Sequence, residues 1–388
     1  MKKLNIAFFT DSFLPYTSGV VRSIETFSAE LRALGHKVYI FAPDYPNCPK
    51  MENVFRFKSL PNLIYKNFNL AIPISPKLES DLHQLNIDII HVHSPFLLGR
   101  LGAKAAKKCG IPLVYTYHTL YDQYVHYVPF AQNFSRWLVR KVSKDFCNSC
   151  DLVVTPTSII ENLLRQYGVT TKIVTIPTGI DLESYKQGDG TWLRSNYSIP
   201  KQDRILLFVG RLGAEKNLEF LINAFKNINK QLPDTTLVLV GGGPQEIHYK
   251  NLCKSLDIEK KVVFTGTLNK KQVINAYLGA DLFVFASVTE TQGLVLGEAK
   301  AAGLPIVAVE AFGTKEMVTS GIDGYLTPLS QEVFVDKVMA ILNEPELYHK
   351  FSRNAKINVQ KISSNNSAKR LISCYKTIIE DERKAEVV

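Results

Sequence analysis

Two glutamates, Glu290 and Glu298, bracket seven uncharged residues in "ETQGLVLGE". The preceding "DLFVFAS" reads as a buried strand. The following "GEAKAAG" reads as a helix start of high propensity, ended by Gly303 and Pro305. Glu290 is therefore expected in a strand-to-helix loop, with Glu298 in the first turns of the helix. Between them "TQGL" spans a helix entry, where backbone N–H groups lack internal partners and the helix dipole favours an anion. A phosphate is the expected occupant. Gly293 lets the backbone come close to it, where a side chain would hold it away.

A second anion-binding element follows the first strand of the same half, in "FVGRLGAEKN". Arg211 and Lys216 flank a glycine-containing turn, and both can reach a diphosphate, the first as a planar fork and the second as a point charge. Either alone reads as a solvated loop cation. Together with the helix entry they form a coherent anion site. Carboxylates repel phosphate, so Glu290 and Glu298 must face hydroxyls, and those of a sugar and a ribose fit.

The elements that position these residues are apolar runs alternating with amphipathic stretches of helical length, the pattern of parallel βαβ units. "NIAFFT", "KVYIFAP", "IDIIHVHS", "PLVYTYHT", "DLVVTPT" and "KIVTIPTG" make a first set. After a polar interval near residues 184–204, "ILLFVGR", "TTLVLVGGG", "KVVFTGT", "DLFVFAS" and "LPIVAVE" make a second. The expected fold is α/β, with two Rossmann-like, doubly wound domains facing a central cleft. The domains are expected at 1–180 and 181–365, with a helix over 366–388 that carries Leu371, Ile372, Tyr375, Ile378 and Ile379 at helical spacing. Ligands of such sheets lie beyond the carboxyl ends of the strands.

The spacing of Glu290 and Glu298 resembles the paired-glutamate motif of the retaining nucleotide-sugar glycosyltransferases of the GT-B fold, family four. The likeness runs through "FLPYTSGVV", "HVHSP", "YHT", "IPTGID", "GRLGAEKN", "GGGP" and "FTGTL", in the family's order. It implies a donor-binding second domain, an acceptor-binding first domain and a last helix that crosses back to the first. It implies that Glu290 lies against the transferred sugar and that Glu298 holds the ribose hydroxyls. Arg211 and Lys216 would neutralise the leaving diphosphate, while the backbone of Thr291, Gln292, Gly293 and Leu294 orients phosphate and sugar. Gly19 would let the first domain's loop approach the diphosphate, and His118 would stand near the anomeric centre. A strand-end position favours a functional reading of His118. His91 and His93 share a strand face and read as packing or hydrogen-bonding residues rather than metal ligands. No Asp-x-Asp triplet occurs, so no metal is expected, nor any cofactor beyond the nucleotide-sugar substrate.

Bulk properties constrain the partners. The 388 residues are 46% hydrophobic and 21% charged, and exceed what one core usually serves. No apolar stretch approaches the roughly 18 residues of a membrane span, and the run before Asp11 is too short for a signal peptide, which points to the cytoplasm. Six cysteines suggest no disulfide framework, and Cys147 and Cys150 in "CNSC" lack the partners of a zinc site. Of the net charge of +10, residues 1–180 carry +8. In that half a helical stretch before residue 150 projects Phe134, Leu138, Val139, Val142 and Phe146 on one arc. Arg136, Trp137, Arg140, Lys141 and Lys144 fall on the other. Cations interleaved with Trp suit an anionic membrane surface, reached peripherally from the inner face. Basic residues confined to one helix and to phosphate-type loops, with no nucleic-acid motif, argue against nucleic acid.

Within the family, "TYHTLYDQYVHY" and "TETQGLVLGEA" are similar to bacterial glucosyltransferases acting on diacylglycerol. That likeness implies UDP-glucose as donor, diacylglycerol as acceptor and an α-linkage. The alternatives are a mannosyl- or N-acetylglucosaminyltransferase with a soluble or polyprenyl-linked acceptor, and a sugar-nucleotide epimerase.

Overall fold

The computed structural model describes residues 3–46, 48–62, 68–120 and 132–385, except for the side chains of 132–136 and 382–385. The chain divides into two compact units, residues 1–179 with 364–388, and residues 180–363.

The first unit is built on β1 (Asn5–Phe9), β2 (Lys37–Pro43), β3 (Val54–Phe57), β6 (Ile89–Val92), β7 (Leu113–Thr116), β8 (Leu152–Thr155) and β9 (Ile173–Thr175). These pair in parallel in the order β3-β2-β1-β6-β7-β8-β9. A short antiparallel pair, β4 (Ser59–Pro61) and β5 (Asn69–Ala71), lies outside the sheet. In β1, Ile6, Ala7, Phe8 and Phe9 are all fully buried, because helices cover both faces of a parallel sheet. That double burial is why the strand reads as an unbroken apolar run.

Helix Gly19–Ala33 starts at Ser18, whose hydroxyl accepts from the Val21 amide, and it buries Val21, Ile24, Phe27 and Leu31 at helical spacing. The last helix, Ser364–Ala385, packs in the same core through Leu371, Ile372, Tyr375 and Ile378, as its spacing predicts. Ser364 ties its start to Glu30 by a 2.5 Å hydrogen bond. Truncating a buried residue such as Leu371 to Ala costs about 2–5 kcal/mol.

The second unit carries β10 (Arg204–Val209), β11 (Thr235–Val240), β12 (Val262–Gly266), β13 (Leu282–Phe285), β14 (Ile306–Val309) and β15 (Gly324–Thr327), in the parallel order β12-β11-β10-β13-β14-β15. Both sheets are thus wound outward from a central pair, β1/β6 in one and β10/β13 in the other. A doubly wound sheet binds ligands where that winding reverses.

The edge strands β3 and β15 are absent from the sequence reading. Both are four residues long and half-exposed, so neither shows an apolar run. The helix over Gln132–Asn148 departs from its projection. Ser143, Phe146 and Cys147 are buried, but Leu138, placed on the apolar arc, is 44% exposed beside Trp137 at 54%. Among the described side chains the burial lies at Ser143, Phe146 and Cys147, and Leu138 does not share it. Cys147 and Cys150 are buried free thiols, and burial pushes the Cys147 thiol up to about 12.

Candidate active site

In the second unit the residues expected to handle phosphate and hydroxyls gather at the β10/β13 reversal. The segment after β10 runs through a short 3-10 turn, Ala214–Lys216, into helix Leu218–Gln231. It presents Arg211 and Lys216. The segment after β13 carries Glu290 to Gly293 into helix Leu294–Ala302. Lys216 and Glu290 meet in an ion pair, each side chain 18% exposed. Arg211 lies 3.9 Å from the carboxylate of Glu215, which is almost wholly buried. Both cations therefore face carboxylates. The sequence reading left out Glu215, because a glutamate beside a lysine in a loop looks solvated.

Gly293 adopts φ +78°, a left-handed conformation in which any side chain is strained, and its carbonyl accepts from the Leu296 amide. The turn thus requires glycine for its own geometry, besides the close approach expected from sequence. It is braced from behind by the segment after β14. The Gly313 amide donates to the Glu290 carbonyl at 2.9 Å, and a Cβ on Gly313 would meet the Thr291 backbone at 2.5 Å. Gly313 escaped sequence reading, since nothing local marks a glycine that serves a turn twenty residues away. Gln292 is buried, and Leu294 opens the helix whose first N–H groups lack intrahelical partners.

Glu298 is half-buried on this helix, and Tyr277 donates a hydrogen bond to its Oε2 at 2.9 Å. The helix is fixed by a buried ion pair in which Lys300 donates to Asp323 at 2.7 Å. The same carboxylate accepts from Asn358 at 2.8 Å and from the Thr319 amide at 2.9 Å. Such a pair is tolerated in a core only when its remaining hydrogen-bonding capacity is met, as here.

The first unit places different chemistry at its β1/β6 reversal. The rings of His91, His93 and His118 stack in a row, with centroids 4.4 and 5.3 Å apart. His91 bonds to Thr116 at 2.6 Å and to the hydroxyl of Tyr375. His93 Nδ1 lies 3.0 Å from His118 Nε2. Burial lowers all three imidazoles below their ordinary range, His118 to about 3, so the row is neutral at pH 7. His93 Nε2 is buried without a hydrogen-bond partner. A stranded lone pair costs less than a stranded N–H, so the proton of His93 belongs on Nδ1, donated to His118, and His118 carries its own on Nδ1. The reading of His91 and His93 as packed, hydrogen-bonding residues fits this arrangement. Among the described residues no group of His, Cys, Asp and Glu has a metal-binding arrangement.

Asp11 anchors the loop after β1. Its carboxylate accepts from the Ser94 hydroxyl at 2.5 Å and the Leu98 amide at 2.7 Å, capping helix Leu97–Cys109. Gly19, at the head of the next helix, faces open space, since a Cβ there meets nothing within 4 Å.

On the basic helix, Arg140 lies over the Tyr167 ring at 5.1 Å and Lys141 over Trp137 at 5.3 Å, while Lys144 is exposed. The side chain of Arg136 and the tyrosines at 121, 124 and 127 lie outside the described residues. No described helix is long and apolar enough to cross a membrane.

Two doubly wound parallel sheets, one with cations and a helix entry gathered at its reversal, are the architecture of a GT-B protein. The chain belongs to the GT-B glycosyltransferases of family four and is a hexosyltransferase. Residues 17–184 match the family described as Glycosyltransferase Family 4, and residues 192–358 match Glycosyl transferases group 1. Among its relatives are two proteins named alpha-monoglucosyldiacylglycerol synthase. That of Streptococcus pneumoniae is 31% identical over 96% of this chain and 85% of its own length, and that of Acholeplasma laidlawii is 31% identical over 98% and 99%. The crystal structure of Anabaena HepE in complex with UDP shares the fold, with a TM-score of 0.78 at 20% identity, covering 96% of this chain and all of that one.

Proposed function

We propose that the protein transfers glucose from UDP-glucose to the free hydroxyl of 1,2-diacylglycerol, giving α-monoglucosyldiacylglycerol. The observation that carries this reading is the 31% identity, over 96% and 98% of this chain, to two synthases of that name, together with the two cations and the helix entry at one sheet reversal. Departure of the nucleotide builds negative charge on the diphosphate and positive charge on the sugar ring. Arg211, Lys216 and the amides from Thr291 to Leu294 stabilise the first, in the manner of preorganised oxyanion donors. Glu290 positions the sugar and balances charge, and it is not a covalent nucleophile. Glu298 holds the ribose hydroxyls, and His118 faces the sugar near the anomeric carbon. Attack comes from the face the leaving group vacates, and the departing phosphate oxygen takes the acceptor's proton, so the α-configuration is kept. The fixed cations do the electrostatic work that a divalent metal would otherwise supply.

The lipid acceptor requires the enzyme to meet a bilayer. Trp137 and Leu138 are exposed on the same helix as Arg140, Lys141 and Lys144. Such a surface suits an anionic leaflet, with apolar tips at the interface and cations among headgroups. This supports peripheral attachment at the inner face of the cell membrane. The test is incubation of purified protein with labelled UDP-glucose, GDP-mannose or UDP-N-acetylglucosamine and mixed vesicles holding diacylglycerol and anionic lipid. Label from UDP-glucose in a diacylglycerol product is expected. Transfer only from another donor, or only to a water-soluble or polyprenyl acceptor, would overturn the reading.

A further inference from the structure

We propose that Tyr277 is a positioning residue that fixes the Glu298 carboxylate, and thereby lets the site distinguish a ribonucleotide donor from a deoxyribonucleotide. The inference rests on the reading above that Glu298 meets the ribose.

Tyr277 lies on helix Lys270–Gly279 and is fully buried. Its ring packs against Phe283, centroids 5.6 Å apart, and Tyr185, 6.3 Å apart. Two χ angles locked by a core leave the phenol little freedom. Its hydroxyl is 2.9 Å from Glu298 Oε2 and 3.3 Å from the Val295 carbonyl. The single proton goes to the nearer acceptor, which is charged and makes the stronger bond. Val295 and Glu298 lie one turn apart on the same helix, so the weaker acceptor sits beside the carboxylate that takes the proton.

Glu298 is half-buried and has three side-chain torsions to fix. An ionised carboxylate offers about four lone-pair directions, of which the phenol takes one. Two vicinal hydroxyls are recognised best by a carboxylate whose plane is set beforehand, because ordering a loose side chain costs affinity. Loss of a hydroxyl from the ligand leaves a held carboxylate short of a partner, whereas a loose one turns away to water. The phenol therefore contributes selectivity as well as affinity.

The experiment measures, by calorimetry, the dissociation constants of UDP and 2′-deoxy-UDP for the wild-type protein, Tyr277→Phe, Glu298→Gln and the double variant. The wild type is expected to prefer UDP by roughly tenfold or more, the worth of a hydrogen bond to a charged group. E298Q is expected to lose most of that preference. Y277F, which removes one oxygen from a packed ring, is expected to bind UDP about tenfold more weakly and to prefer it only a few-fold, again the scale of one charge-assisted bond. In turnover assays its donor KM rises while kcat at saturation stays within about twofold, the mark of lost uniform binding. The double variant adds little to E298Q, because the two side chains act as one unit. If Y277F keeps the wild-type preference while E298Q loses it, or if the two losses add, Tyr277 only packs and the proposal falls while the donor reading stands. If E298Q keeps both affinity and preference, Glu298 does not meet the ribose, and the donor reading fails at its source.

Discussion

The two sheets are wound alike, yet the reversals at their centres carry opposite electrostatics. At β10/β13 charge is concentrated: Lys216 pairs with Glu290, and Arg211 lies beside Glu215. At β1/β6 charge is suppressed: three stacked imidazoles are held neutral by burial. Topology chooses where a ligand can sit, and the residues after each strand choose what chemistry it meets. In the second unit, the charge suits the departing diphosphate of the proposed reaction. In the first, the row offers a neutral N–H donor, which under the proposed function would meet sugar hydroxyls without adding a cation.

The largest test of this contrast removes the cations. Lys216→Ala or Arg211→Ala should lower kcat by on the order of a hundredfold or more, the scale of losing a preorganised oxyanion donor. A loss below about threefold would place the electrostatic work elsewhere. Glu290→Gln separates positioning from charge. Turnover should fall by roughly tenfold or more, while UDP binds as tightly as before or tighter, because Lys216 is released from its ion pair. Nearly full turnover would remove Glu290 from the reacting centre.

Acid probes the other side of the comparison. His91 and His93 have folded-state pKa values well below the ordinary value near 6.5. Between those limits the unfolded chain binds protons that the native row refuses, so stability is full above pH 6.5 and falls as pH drops below it. The slope is up to about 1.4 kcal/mol per pH unit for each histidine. Hydrogen exchange at pH 7.5 and pH 5 should therefore show the first unit losing protection before the second. Equal loss in both would contradict a neutral row.

Smaller effects are expected at the glycines. Gly313→Ala drives a methyl into the Thr291 backbone, and should weaken UDP binding several-fold while costing about 1–3 kcal/mol of stability. Gly19→Ala meets only open space and should change stability by less than about 0.5 kcal/mol, with any loss confined to turnover.

Most of this site was legible in the sequence because its residues follow apolar runs that are buried on both faces. "DLFVFAS" and "ILLFVGR" announce β13 and β10, and with them the places of Glu290 and Arg211. What stayed hidden depends on contacts between distant segments. Tyr277 reads as an ordinary core aromatic, Gly313 as a loop glycine, and Glu215 as a solvated charge. The exposure of Leu138 on helix Gln132–Asn148 was also illegible, since periodicity fixes which residues share a face but not how far along the helix a partner extends. Edge strands β3 and β15 lack the double burial that makes inner strands visible.

The helix Ser364–Ala385 completes the core of the unit in which the chain starts. Residues 180–363 are thus an insertion within the first unit, which takes the last layer of its core from chain that follows the second. Without Tyr375 the hydroxyl that bonds His91 is missing. Excising 1–179 as a continuous stretch would therefore strip both a core layer and a partner of the histidine row, whereas 180–363 can be cut out as one uninterrupted piece.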